Sequence, residues 1–199
     1  MTTELQHALA SEKMAVVGAG LVGSLWALML AQRGHHVHVF ERRPDPRKGT
    51  YKGGRSINLA LSDRGWRALE KAGIADAVRE IALPITHRTM HSTDGSLTRQ
   101  PYGLPDAAGK FNDPQCIYSV SRALLNRLLV EESEKHSRVV YQFDRKCTVV
   151  DLDTTSLTLE DGAGVKHTEA FDRIFGTDGA FSAVRDRLMR TDRFDFSQR

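Results

Sequence analysis

Residues 14–17, Met-Ala-Val-Val, form an unbroken apolar run of strand length that ends on Gly18-Ala19-Gly20-Leu21-Val22-Gly23. Leu21–Gln32 follows as an apolar stretch of helical length, and Gly34 stops it. A second short run, 36–41, is strand-like and ends on Glu41. Strand, helix and strand in that order predict a parallel sheet.

Beyond Glu41 the pattern changes. Residues 42–58 are basic, glycine-rich and aperiodic, and the stretch is long for a mere connector. Ser62 or Asp63 then caps a helix that runs to Lys71 and closes at Gly73. Residues 86–92 and 96–100 flank Thr93-Asp94-Gly95, which predicts a hairpin. A loop rich in Gly, Pro and Asp occupies 101–114, and a helix is expected from Ser121 to about His136. Strands are expected at 138–143 and 147–152. A second hairpin at 156–170 should turn at Asp161-Gly162-Ala163-Gly164. A short strand at 173–175 feeds Gly176-Thr177-Asp178-Gly179, and a basic helix follows at 182–190. The last residues, 193–199, carry no recognisable terminating element. The fold class this implies is α/β.

Composition narrows the classes. The chain has 199 residues, 40% hydrophobic and 27% charged, as in ordinary soluble domains. A net charge of +3 without a basic run interleaved with aromatics gives no reason to expect nucleic acid. Only Cys116 and Cys147 are present, with no CxxC pair, which suits a reducing cytoplasm. The polar N-terminus does not read as a signal peptide, and the apolar run 25–31 is too short to span a bilayer. No metal site is expected. His35, His36 and His38 lack ligand context, and on a strand His87 and His91 stand ~13 Å apart at ~3.3 Å per residue.

Four segments carry chemistry. In Gly18, Gly20 and Gly23 the strand–glycine–helix context suits a dinucleotide pyrophosphate, received on the N–H groups at the start of the helix. Glu41, 18 residues past Gly23, can accept hydrogen bonds from a ribose diol. Its charge would repel a 2′-phosphate, so NADP is disfavoured at this turn while FAD and NAD both fit. The Asp178 segment could present a ligand contact, or it could be an Asp-Gly turn capping a helix. Gly53-Gly54-Arg55-Ser56-Ile57-Asn58-Leu59-Ala60-Leu61 could pass close to a polar ligand, or could be a flexible loop before a helix. Arg122, at a helix start where the dipole prefers acids, would be explained by a nearby phosphate or by simple exposure.

Taken together, the Gly18 turn, the pair Glu41-Arg42 and the Asp178 segment resemble the flavoprotein aromatic hydroxylases of the p-hydroxybenzoate hydroxylase class. The strings Glu41-Arg42-Arg43-Pro44-Asp45, Gly54-Arg55-Ser56-Ile57-Asn58-Leu59-Ala60-Leu61, Pro101-Tyr102-Gly103 and Ser119-Val120-Ser121-Arg122 resemble the kynurenine-hydroxylating branch of that class. The resemblance implies a Rossmann-like FAD-binding domain with an inserted, incomplete antiparallel β substrate region beginning at about 84–115. It implies FAD as cofactor, NADPH as co-substrate, and O2 and L-kynurenine as substrates. It places Val22 in the phosphate turn and Glu41, Arg42 and Arg43 at the adenosine end. Ala60 and Arg122 fall beside the flavin, Cys147 and Ala183 at further cofactor contacts, and Asp178 at the FAD- and NADPH-linked motif. Arg88 and Tyr102 fall where the substrate carboxylate is held, and Thr86 stands where relatives often carry a second arginine. No residue is expected to act as a covalent catalyst. The resemblance also implies a longer protein, with a later Gly-Asp motif, more of the substrate sheet and a C-terminal helical part. A part lacking these is expected to be inactive by itself. An NAD-dependent dehydrogenase and a non-catalytic binding module are the rival readings.

Overall fold

The computed structural model describes residues 11–48, 58–102 and 117–191. Among these the elements run β1 Lys13–Val17, α1 Leu21–Gln32, β2 His36–Phe40, β3 Asn58–Leu61, α2 Asp63–Lys71 and α3 Ala75–Arg79. They continue with β4 Leu83–Ile85, β5 His87–His91, β6 Leu97–Pro101, β7 Ile117–Ser121 and α4 Arg122–Glu134. The last are β8 Val139–Gln142, β9 Arg145–Asp151, β10 Ser156–Asp161, β11 Lys166–Ala170, β12 Arg173–Gly176 and α5 Ala183–Met189. The chain divides into two compact units, one made of Met1–Gly49 with Leu129–Arg199, the other of Thr50–Leu128.

The first unit is built on a four-stranded parallel sheet in the order β12-β1-β2-β8. The apolar run of β1 has its cause here. Side chains alternate across a strand, and both faces of this sheet are covered. Met14 and Val16 join Val37, Val39 and Val139 on one face, under Ala27, Leu30 and Ala31 of α1. Ala15, Val17 and Phe40 face the other way, against Val150, Leu157 and Leu159 of the antiparallel β9-β10-β11 sheet. Each large apolar side chain so buried contributes about 1.5–3 kcal/mol. A strand buried on both faces reads as continuous apolar sequence, which is why β1 was legible without any alternation.

The second unit holds the antiparallel sheet β3-β7-β4 and the hairpin β5-β6. Trp66 of α2 meets Tyr118 of β7 edge-to-face, ring centroids 4.9 Å apart, and the Arg79 guanidinium lies over the Trp66 ring. The hairpin falls where Thr93-Asp94-Gly95 predicts it, with Gly95 at φ +84°.

The sequence reading missed several elements. Asn58–Leu61 is a strand, not the end of an irregular stretch, and Ile117–Ser121 is its partner, so helix α4 begins one residue later than expected, at Arg122. Strand β4 and helix α3 were not foreseen either. These elements are three to five residues long, and β3 and β4 owe their regularity to pairing with β7, distant in sequence. Local periodicity carries no such signal. Residues 49–57, with the Gly53-Gly54-Arg55 string, and residues 103–116, with Cys116, lie outside the described residues.

Candidate functional site

The glycine turn joins β1 to α1, and its three glycines do different work. Gly18 has φ +102°, and a Cβ there would lie 2.7 Å from the Thr177 carbonyl oxygen. A Cβ on Gly23 would lie 1.9 Å from the Gly18 carbonyl oxygen and 2.6 Å from Thr177 Oγ1. Both positions are glycine because other protein atoms fill the space. Gly20 differs: nothing lies within 4 Å of where its Cβ would be. Gly20 is also the N-cap of α1, with no side-chain cap and no acid in the first turn. A 12-residue helix begun in this way presents backbone N–H groups and a positive dipole end to an anion.

Hydrogen bonds hold the turn from three elements. The Gly18 N–H donates to the Phe40 carbonyl at 2.7 Å, and the Ala19 N–H to Glu41 Oε2 at 3.0 Å. Glu41 Oε1 accepts the Arg43 N–H at 3.0 Å. Ser24 Oγ, fully buried, donates to the Ala19 carbonyl at 3.3 Å. Just past β12, Thr177 Oγ1 lies 2.8 Å from the Val17 carbonyl oxygen and 2.9 Å from that of Gly18. Each Glu41 oxygen retains acceptor capacity beyond its one backbone donor, so the same carboxylate can still receive ribose hydroxyls.

The remaining first-unit candidates are Val22, Arg42, Arg43, Cys147, Asp178 and Ala183. Val22 lies in the first turn of α1 and is 69% exposed. Arg42 and Arg43 follow β2 and are exposed, and Arg42 opens onto a polar depression shared with Asp144, Lys146 and Glu160. The sequence reading assigned no role to the pair behind them. Buried Asp45 receives Arg47 Nε and Nη2 at 2.8 and 2.7 Å, and Arg47 also pairs with Glu134 of α4 and stacks over Phe143. The Arg47 guanidinium holds the Asp45 carboxyl below its ordinary pKa.

Asp178 spends both carboxylate oxygens on the start of α5. Oδ1 accepts the Ser182 hydroxyl at 2.6 Å and Oδ2 the Ala183 N–H at 2.6 Å, while Ser182 Oγ caps Arg185 N–H at 2.9 Å. The Asp-Gly segment thus caps α5, and it also lies against the glycine turn, since a Cβ on Gly18 would come 2.9 Å from Asp178 Cα. Cys147 on β9 has its thiol pKa pushed up to about 11, first by burial and then by the Asp178 charge.

In the second unit, Ala60 pairs with Ser119, and Arg122 follows Ser121, which pairs with Asn58, so Ala60 sits within the β3-β7 ladder and Arg122 just past its end. Arg88 pairs with Gln100, and the Tyr102 N–H donates to the Thr86 carbonyl at 2.9 Å. Tyr102 thus follows directly on β6, one residue beyond the last paired position of the hairpin. Arg88 is exposed, and its Nε and Nη2 both donate to Gln100 Oε1, at 2.8 and 2.6 Å. Gln100 was not singled out from the sequence. Only the strand register identifies it as the residue that holds the Arg88 fork.

Among the described residues no cluster of His, Cys, Asp and Glu could hold a metal ion, and no helix is long and apolar enough to cross a membrane. The uncapped start of α1, the space at Gly20 and the Glu41 carboxylate fit the pyrophosphate and ribose of a dinucleotide.

Comparison with known proteins follows the same lines. Residues 12–195 match a family model described as an FAD binding domain. The chain is 45% identical over 186 residues to a kynurenine 3-monooxygenase of Christiangramia forsetii and 43% identical over 187 residues to one of Anopheles gambiae. These matches cover 93% of this chain, but only 39% and 37% of those proteins. Among solved structures, the flavin-dependent monooxygenase PieE, in complex with FAD and substrate, superposes with a TM-score of 0.74 at 25% identity. That match covers 90% of this chain and 32% of PieE. The p-nitrophenol 4-monooxygenase of Pseudomonas putida shares the fold with a TM-score of 0.71 at 24% identity, over 89% of this chain and 43% of that one.

Proposed function

The chain belongs to the FAD binding domain family, and from that premise we propose that it supplies the FAD-binding part of an aromatic hydroxylase. That enzyme uses NADPH and O2 to hydroxylate L-kynurenine at ring position 3. The chain spans about two fifths of the curated relatives it matches, so the reaction is assigned to the protein that carries this chain. The observation that carries the reading is the Glu41–Ala19 bond, which ties a ribose-binding carboxylate to the turn that receives the pyrophosphate. The names and 40–45% identity of the relatives support the choice of substrate.

When bound, FAD supplies the redox chemistry that activates O2 toward an electron-rich ring. The protein's share is to bind, orient and exclude water. The N–H groups at the start of α1 take the pyrophosphate, and Glu41 takes the ribose diol. Because the Glu41 charge repels a 2′-phosphate, NADPH is not held at this turn. Arg42 and Arg43 lie at the adenosine end, with Ala60, Arg122, Cys147, Asp178 and Ala183 as further cofactor contacts. Arg88 and Tyr102 receive the substrate carboxylate, since a guanidinium fork and a phenol suit a planar anion. Gln100, which already engages the Arg88 fork, would hold it in place until substrate arrives. The substrate region is taken to begin at about residues 84–115.

The test is turnover by the full-length protein carrying this chain. NADPH oxidation that depends on L-kynurenine, coupled to O2 uptake and formation of 3-hydroxykynurenine, is expected. NADPH oxidation indifferent to kynurenine, with no hydroxylated product, would overturn the assignment.

A further inference from the structure

We infer that Thr177 is a positioning residue for the cofactor turn, acting through its hydroxyl on the Gly18–Ala19 peptide. The inference rests on the reading of that turn as the FAD pyrophosphate site. A trans peptide unit is planar, with its C=O and N–H on opposite edges. In the unit joining Gly18 to Ala19, the oxygen edge faces Thr177 Oγ1 at 2.9 Å and the N–H edge donates to Glu41 Oε2 at 3.0 Å. One plane is therefore gripped on both edges, by the residue after β12 on one side and by the residue after β2 on the other.

The hydroxyl has one proton and two acceptors, since the Val17 carbonyl oxygen is 2.8 Å away. The Thr177 backbone N–H also donates to Val17 O, at 2.8 Å, which anchors the residue so that its hydroxyl falls on the turn. The contact is close on every side: Thr177 atoms come nearest to an added Cβ at Gly18 and are within 2.6 Å of one at Gly23. The next peptide unit is fixed too, by Ser24 Oγ on the Ala19 carbonyl at 3.3 Å. Its opposite edge is the Gly20 N–H, at the position where no protein atom crowds the backbone. Thr177 thus sets the plane from which the ligand-facing amides are aimed. Holding that geometry before the ligand arrives lowers the ordering cost of binding.

The test compares Thr177→Val, which keeps the shape and loses the hydroxyl, with Thr177→Ser, which keeps the hydroxyl. Both are made in the full-length protein, with FAD as the probe. Thr177→Val should weaken FAD binding about tenfold, the scale of one hydrogen bond, and Thr177→Ser should restore most of it. Amide exchange at Ala19, measured without FAD, should be faster in Thr177→Val and close to wild type in Thr177→Ser. Equal FAD affinity in wild type and Thr177→Val would overturn the inference, as would a serine variant as weak as the valine one. If the wild type takes up no FAD, the reading of the site fails. The exchange measurement still decides whether Thr177 holds the peptide, and unchanged exchange in Thr177→Val would overturn that.

Discussion

Glu41 Oε2 accepts the backbone N–H of Ala19 at 3.0 Å, across 22 residues of sequence. The carboxylate that marks the end of β2 is therefore part of the glycine turn and does more than face a ligand. Glu41→Gln keeps one oxygen acceptor but loses the charge and the second acceptor. It should weaken FAD binding by about 1.5–3 kcal/mol, the range for hydrogen bonds to charged groups. Flavin fluorescence titration measures this, and an unchanged dissociation constant would show that the bond is incidental.

The three glycines should separate by phenotype. Gly18→Ala places a Cβ at φ +102° against Thr177 O, and Gly23→Ala places one 1.9 Å from Gly18 O, so both should lower the melting temperature. Gly20→Ala meets nothing within 4 Å, so the apo melting temperature should hold while FAD affinity falls. Thermal melts with and without FAD make the comparison. A Gly20→Ala variant that binds FAD normally would remove Gly20 from the site.

Asp45 gives a pH dependence with a definite sign. Its pKa in the folded protein lies below the ordinary value of 3.8 because Arg47 hydrogen-bonds the carboxylate. The stabilisation is therefore fully present above that ordinary value and is lost as pH falls through the depressed one. Asp45→Asn should cost about 2 kcal/mol at neutral pH and much less in strong acid. Chemical denaturation at pH 7 and near pH 2 checks this, and a cost that does not shrink with acid would contradict it.

Cys147 should be slow to alkylate. With its pKa raised to about 11, only roughly one thiol in a thousand is ionised at pH 8, and the thiolate is the reactive form. In a Cys116→Ser background, iodoacetamide at pH 8 should label the native protein far more slowly than the denatured one. Equal rates would show that the thiol is neither buried nor held neutral.

Arg88→Ala should raise the apparent KM for kynurenine with flavin content unchanged, and Arg88→Lys should rescue little, since a single ammonium cannot reproduce the planar fork. Steady-state kinetics of the full-length protein decide this. An unaltered KM in the alanine variant would separate Arg88 from the substrate.

How far the sequence reached depends on how local each signal was. β1, α1 and β2 were legible because a doubly covered strand, a glycine turn and an apolar stretch of helical length each announce themselves within a few residues. The turn chemistry of Thr93-Asp94-Gly95 gave the β5-β6 hairpin for the same reason. β3, β4 and β7 were not legible, because their order comes from pairing across tens of residues. The same division holds at the site. Gly18, Gly20, Gly23 and Glu41 are spaced by a motif. Thr177 and Gln100 matter through bonds to residues far along the chain or across a strand register, and no spacing rule reaches them. Asp178 is legible as a turn residue from its Asp-Gly setting, but its commitment of both oxygens to the start of α5 emerges only in the folded structure.

The central claim is that the glycine turn, with Glu41 behind it, holds FAD. The most direct measurement is the visible absorption spectrum of the purified full-length protein, before and after titration with FAD and separately with NAD. The account predicts flavin bands at one FAD per chain, bound tightly enough to survive gel filtration and not displaced by NAD. A colourless protein that retains NAD and gains no absorbance with added FAD would contradict it.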